Sequence, residues 1–171
     1  MVASRIVITE CTVDEIRAHL RREPETLFAV LDACDEPRVP EKVRKLGDRA
    51  VSLYRGSAEE DYWAIAPYLA QVDEPLLAWI LDNLWSDPWG LLVVAAADLA
   101  ALRRHFRRFL LVRDPNKREM YFRFYDPRVL PVFLKTCAGQ EVDEFFGPIR
   151  FFAVAGADQK VAMIGRVSAG A

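Results

Sequence analysis

The chain is poor in the residues from which metal centres and nucleophilic sites are assembled. It has three cysteines, Cys11, Cys34 and Cys137, an odd number, widely spaced and without a Cys-x-x-Cys pair. That argues against a disulfide scaffold and against a zinc site, and points to free thiols in a reducing compartment. Only two histidines occur. His19 lies in an arginine-rich helical stretch and His105 inside Arg103-Arg104-His105-Phe106-Arg107-Arg108, and neither has a ligand partner at metal-binding spacing. There is no Gly-x-Ser-x-Gly elbow, no phosphate-binding glycine loop and no dinucleotide fingerprint, and the few serines do not suggest a Ser-His-Asp triad. No catalytic, cofactor-binding or metal-binding residue is therefore assigned, and the expectation is a protein that is not an enzyme.

Long apolar runs are missing too. None approaches the roughly 20 residues that span a bilayer, so no membrane insertion is expected. The first residues, Met1-Val2-Ala3-Ser4-Arg5, lead into a short apolar run broken by Glu10 and do not form a signal peptide. Neither sign of charge dominates: 23 Lys and Arg face 25 Asp and Glu, a net −2. Such a balance gives no overall field that would favour nucleic acid or an anionic membrane.

What is present is a well-patterned globular chain. With 171 residues, 52% of them hydrophobic and 28% charged, it is of one-domain size and can bury a core without staples. Thr12-Val13-Asp14-Glu15 reads as a capping box opening a helix with Ile16 and Leu20 on its apolar face. Leu27–Ala33 is a continuous apolar run, the pattern of a buried strand. Val39–Leu46 predicts a helix ending at Gly47, and Val51–Tyr54 a strand. Pro67 inside the apolar stretch 64–72 argues for an edge strand. Pro75 opens a helix with Leu76, Leu77, Ile80, Leu81 and Leu84 along one stripe. Leu91–Ala96 reads as another buried strand, and Asp98 as the cap of a helix carrying Leu99, Leu102, Phe106 and Phe109 inward. Residues 110–113 and 118–125 predict a hairpin turned by Asp114-Pro115-Asn116-Lys117. Asp126 as N-cap and Pro127 at the first helical position predict a helix to about Cys137. Glu141–Phe146 extends the helical pattern, and Ile149–Val154 closes the set as a strand. Helices and strands interleave, which predicts a mixed α+β (α/β) fold, a single mixed β-sheet covered by helices. The expected organisation is one domain over 1–156, with 157–171 a mobile tail in which Val161–Ile164 could add a short edge strand.

Three clusters invite a functional reading. Trp79, Trp85 and Trp89 gather near one turn, and Trp85 and Trp89, beside Pro88 and Gly90, are the better interface candidates. Arg103, Arg104, Arg107 and Arg108 could meet phosphates, which supports an alternative reading as a phospholigand or nucleic-acid binding module. They could equally form a solvated helix face or grip an acidic protein. The string Phe122-Arg123-Phe124-Tyr125-Asp126-Pro127-Arg128 joins strand-like aromatic alternation to a helix start. Its Arg123, Asp126 and Arg128 fit a structural ion-pair network better than a catalytic set. The candidates for partner contact are Trp85, Trp89, Arg104, Arg108, Arg123 and Arg128. A small hydrolase with an unfamiliar site is a third reading.

The segment Leu102–Arg113, continued by Phe122-Arg123-Phe124-Tyr125-Asp126-Pro127-Arg128-Val129-Leu130 and Phe145-Phe146-Gly147-Pro148, resembles the type VI secretion effector chaperone or adaptor family. Phe28–Ala33, Ser52-Leu53-Tyr54, Ala66–Leu69 and Trp89-Gly90 fit the same order, so the likeness runs from residue 27 to about 153. The resemblance implies a cytoplasmic adaptor of a Gram-negative bacterium that uses no cofactor. It implies binding of a cognate toxic effector and its loading onto the VgrG spike, sometimes with a PAAR tip. Many members continue into a further helical C-terminal region. Here a short tail follows Gly147-Pro148, which implies a compact member or one without that lobe.

Overall fold

The computed structural model describes residues 4–168. Nine strands and seven helices alternate along them. They are β1 (Ser4–Thr12), α1 (Val13–Arg22), β2 (Leu27–Asp32), α2 (Val39–Leu46), β3 (Ala50–Ser52), α3 (Ser57–Asp61), β4 (Pro67–Gln71) and α4 (Glu74–Asn83). Then follow β5 (Gly90–Ala95), α5 (Leu99–Arg107), β6 (Leu111–Arg113), β7 (Glu119–Tyr121), α6 (Leu130–Thr136), α7 (Gly139–Phe146), β8 (Ile149–Ala155) and β9 (Lys160–Ser168). Seven strands form one sheet in the order β1-β9-β8-β5-β2-β4-β3, and β6 and β7 form a separate hairpin. The α+β class is the one expected, and every pairing in the large sheet is antiparallel.

The middle of the sheet is where the apolar runs fall. Every residue of β2 and of β5 is buried, so both faces are covered there. Phe28, Val93 and Phe152 sit in register across β2, β5 and β8. Phe145 and Phe146 of α7 pack on Phe152 at ring separations of 5.6 and 5.2 Å. Phe106 stacks on Phe124 at 5.1 Å, which fastens α5 to the segment after β7. Strand β5 begins at Gly90 with φ 132°, a conformation only glycine holds easily, and a Cβ there would overlap the carbonyl of Val30 on the neighbouring strand.

Local chemistry sets the helix ends. Thr12 and Glu15 form the expected capping box of α1, with Thr12 N–H donating to Glu15 at 2.7 Å. Asp73 and Asp98 cap α4 and α5 by accepting from Leu76 N–H at 2.9 Å and Ala101 N–H at 2.7 Å. Gly47, with φ 57°, ends α2.

Four expectations need correction. Strand β4 is not an edge: β3 pairs along its far side, and Pro67 is tolerated because it is the strand's first residue, where one missing donor costs no interior ladder bond. The strand predicted over 118–125 stops at Tyr121, and 124–129 is turn. The following helix starts at Leu130 rather than Pro127, with Pro131 in its first turn. The expected tail from 157 is instead mostly strand: β9 pairs with β8 on one side and with all nine residues of β1 on the other. Residues 169–171 of that tail lie outside the described residues.

Candidate functional site

Asp32 ends the buried strand β2 and is itself fully buried. An ionised carboxylate there must be paired. Its Oδ1 accepts from Cys34 N–H at 3.0 Å, and its Oδ2 accepts from the guanidinium of Arg123. The same Arg123 Nη2 donates to Asp35 at 2.7 Å. Asp35 also accepts from Arg128 Nη2 at 3.3 Å, and Arg128 in turn grips Asp126 with Nε at 2.9 Å and Nη2 at 2.6 Å. Five alternating charges, Asp32, Arg123, Asp35, Arg128 and Asp126, thus tie the loop after β2 to the turn before α6.

Burial pushes the Asp32 carboxyl above the usual carboxylate range, and Arg123 offsets this only in part. For Asp126 burial also acts upward, but the hydrogen bonds and charge of Arg128 outweigh it and hold the carboxyl below its ordinary value. Asp126 therefore does not cap a helix with its side chain. Its Oδ1 accepts from Arg128 N–H at 2.8 Å, a local turn, while its carbonyl accepts from Val129 and Leu130 N–H. A second pair sits nearby in the chain: buried Glu36 accepts from Arg38 Nε at 2.6 Å, and Arg38 Nη2 reaches Asp87 at 3.1 Å.

Of these charges, Arg128 and Asp87 line a cleft of about 820 Å³. Trp85 and Asp87 from the α4–β5 turn, Pro127 and Arg128 from the turn before α6, and Val154 and Asp158 at the β8–β9 turn line it. Its size matches that of a site for a small ligand or a protruding peptide segment. Trp85 is half-buried, and its indole Nε1, itself buried, has no acceptor among the described residues. Trp89 packs 6.3 Å from it, ring to ring, and is 1% exposed.

The structure therefore sorts the six residues offered by the sequence. Trp85 and Arg128 meet at the cleft. Trp89 is core and supports Trp85 from behind, because the Asp87-Pro88 turn folds it inward onto β5. Arg123 spends its Nη2 on Asp32 and Asp35 and serves the framework. Arg104 and Arg108 line no part of the cleft and lie exposed on α5 and its C-cap. Their neighbours Arg103 and Arg107 are committed elsewhere. Arg103 donates to Ser52 O at 2.9 Å and to Glu59 at 2.7 Å; Arg107 donates to Leu53 O at 3.1 Å and to Tyr54 O. The four-arginine cluster is thereby split, two guanidiniums pinning the end of β3 and two facing solvent. Phe122 packs on Phe133 at 4.7 Å, while Phe124, Tyr125 and Asp126 are buried, so the aromatic-arginine string is mainly framework.

Sequence reasoning missed Asp32, Asp35 and Asp158. Only Asp32 left a signal, a carboxylate inside an otherwise apolar run. Among the described residues, no group of three His, Cys, Asp or Glu is arranged to hold a metal ion, and no helix is long and apolar enough to cross a membrane.

A family model described as a domain of unknown function, DUF4123, matches residues 27–144. That stretch includes the whole charge network and the Trp85, Asp87, Pro127 and Arg128 walls of the cleft. No curated protein and no solved structure matches the chain.

Proposed function

As the chain belongs to the DUF4123 family, a family associated with effector adaptors of type VI secretion, we propose that it is a stoichiometric adaptor that binds a cognate toxic effector and helps load it onto the VgrG spike, with or without a PAAR tip. It acts by binding rather than turnover, in the cytoplasm, with no nucleic-acid partner and no membrane insertion. The observation that carries this reading is the family match over more than half of the chain.

The cleft supplies the grip in this reading. Trp85 offers the exposed part of a flat apolar ring, while its indole Nε1 is turned away from solvent. Arg128, 63% exposed at its side chain, offers a guanidinium already oriented by Asp126. Aromatic and arginine side chains of this kind dominate binding energy where they are held rigidly. The network behind them holds Arg128 in place before the partner arrives. A stable interface buries about 800 Å² per partner, so the cleft would anchor one segment within a wider contact.

The alternative, phosphate or nucleic-acid recognition by the α5 arginines, is weakened by the pairing of Arg103 and Arg107. Two exposed guanidiniums give a weak electrostatic footprint. Tagged protein isolated from cells with an assembled secretion apparatus should bring down a large toxin or a spike protein in near-equal amount. Recovery of neither would refute the adaptor reading, and salt-sensitive recovery of nucleic acid instead would favour the alternative.

A further inference from the structure

The β6–β7 hairpin stands outside the large sheet and is exposed at all six strand positions. Four of the six are large and apolar: Leu111, Val112, Met120 and Tyr121. Opposed residues share a face of the ribbon, so Leu111 with Tyr121 makes one apolar face and Val112 with Met120 the other. A two-stranded ribbon of this kind has little stability of its own. It is held at its base, where Phe122 N–H donates to Leu110 O at 2.8 Å and Tyr121 packs on Tyr54 at 4.7 Å.

The register tells which backbone groups are free. Leu110 pairs through hydrogen bonds with Phe122, and Asp114 with Arg118. In an antiparallel ladder such pairs alternate with unbonded ones. The peptide groups of Leu111 and Arg113 on one edge, and of Glu119 and Tyr121 on the other, therefore point away from the ribbon. No third strand takes them among the described residues.

The surroundings carry an excess of positive charge. Residues 103–123 hold eight Lys and Arg against two Asp and Glu, and of the eight, Arg103 and Arg107 are paired with Glu59 and Arg123 with Asp32 and Asp35. Both acids are already matched, Asp114 to Arg118 and Glu119 to Arg113. Arg55, Arg104 and Arg108 are exposed and enter no ion pair among the described residues. Arg55 lines a notch with Tyr54, Leu111 and Tyr121 at the foot of the hairpin.

We propose that the free edge of β6 is a docking site for an extended acidic segment of a partner protein, alternating acidic and apolar residues, which adds as a third strand to the hairpin. Its backbone pairs with Leu111 and Arg113, its apolar side chains cover the ribbon, and its carboxylates meet Arg55 and Arg108. The β6 edge is preferred to that of β7 because the unpaired Arg108 lies on the segment leading into the former, while the latter carries the acid Glu119. This rests on the reading of the chain as a binding module, though not on the cleft.

The test uses the full chain and two ten-residue probes, one alternating Glu and Val, the other Lys and Val. Backbone hydrogen exchange is followed by NMR. The acidic probe should slow exchange at Leu111 and Arg113 at least about tenfold at saturation, with binding weakened by salt. The basic probe should leave both amides unchanged, and R55E, at an exposed position that enters no ion pair among the described residues, should weaken the acidic probe at least severalfold. Equal protection by both probes, protection only at other strands, or no slowing at saturation would overturn the proposal. So would slowing that rises with chain concentration alone, which marks a second copy as the occupant. W85A should leave the peptide response intact. Failure to capture toxin or spike while that response persists would count against the adaptor reading alone.

Discussion

Arg128 holds Asp126 from two residues away, through its own backbone N–H at 2.8 Å and its side-chain Nε at 2.9 Å and Nη2 at 2.6 Å. The carboxylate is nearly buried while the guanidinium faces the cleft, so one residue stabilises the turn and the other presents a charge. Asp126→Ala should lower the unfolding free energy by about 1–3 kcal/mol, the cost of orphaning the donors it satisfies. It should also release Arg128 and weaken partner binding beyond what unfolding explains. Urea unfolding and a binding assay on the folded fraction check both parts.

Trp85 and Trp89 are four residues apart and should behave as opposites. Trp89→Ala removes a core side chain and should cost about 3–5 kcal/mol of stability. Trp85→Ala should change stability far less, yet weaken partner binding at least about tenfold, as loss of an interface anchor does. Thermal melts beside titrations of the captured partner separate the two effects.

Gly90 tests the centre of the sheet. Gly90→Ala places a methyl group into the Val30 carbonyl at a backbone angle that L residues avoid. It should cost at least about 3 kcal/mol, strain and overlap combined, seen as a lowered denaturation midpoint or a loss of soluble protein.

His105 makes the fold sensitive to acid. Its Nε2–H donates to Phe145 O at 2.7 Å, and burial lowers its pKa, with Arg108 acting the same way and the Phe145 carbonyl opposing. An unfolded histidine titrates near 6.5. Above that pH neither state takes up the proton and the contribution is fully present. As the pH falls below it, the unfolded chain protonates first, and stability drops until the lowered folded pKa is passed. Denaturant midpoints at pH 7.5 and pH 5 should therefore differ, and His105→Gln, which keeps a donor, should shrink that difference.

The elements with local chemical signatures could be read from the chain. The capping box of α1, Gly47 after α2, Asp98 before α5 and the Asp114–Lys117 turn each carry their cause within a few residues. The β1–β9 pairing does not, since it joins residues 4–12 to 160–168, and no position of β1 is buried, so it shows no clean apolar alternation. The site was half legible. Trp85 and Arg128 were named for their types, but the side toward which each points depends on the turns around Pro88 and Pro127. Asp126-Pro127 looked like a helix start because Asp and Pro favour those positions. In the folded chain the neighbouring guanidinium claims the carboxylate, and the helix begins three residues later, with Pro131 in its first turn.

The most direct test places a photo-crosslinking residue at Ser86, on the wall of the cleft, in cells with an assembled type VI apparatus. An adaptor that binds through this cleft should give a covalent adduct to the cognate toxin or to the spike protein, which is lost when Trp85→Ala is added to a chain that still folds. Absence of any adduct to either protein, while the same residue placed elsewhere on the surface captures them, would contradict the cleft as the binding site.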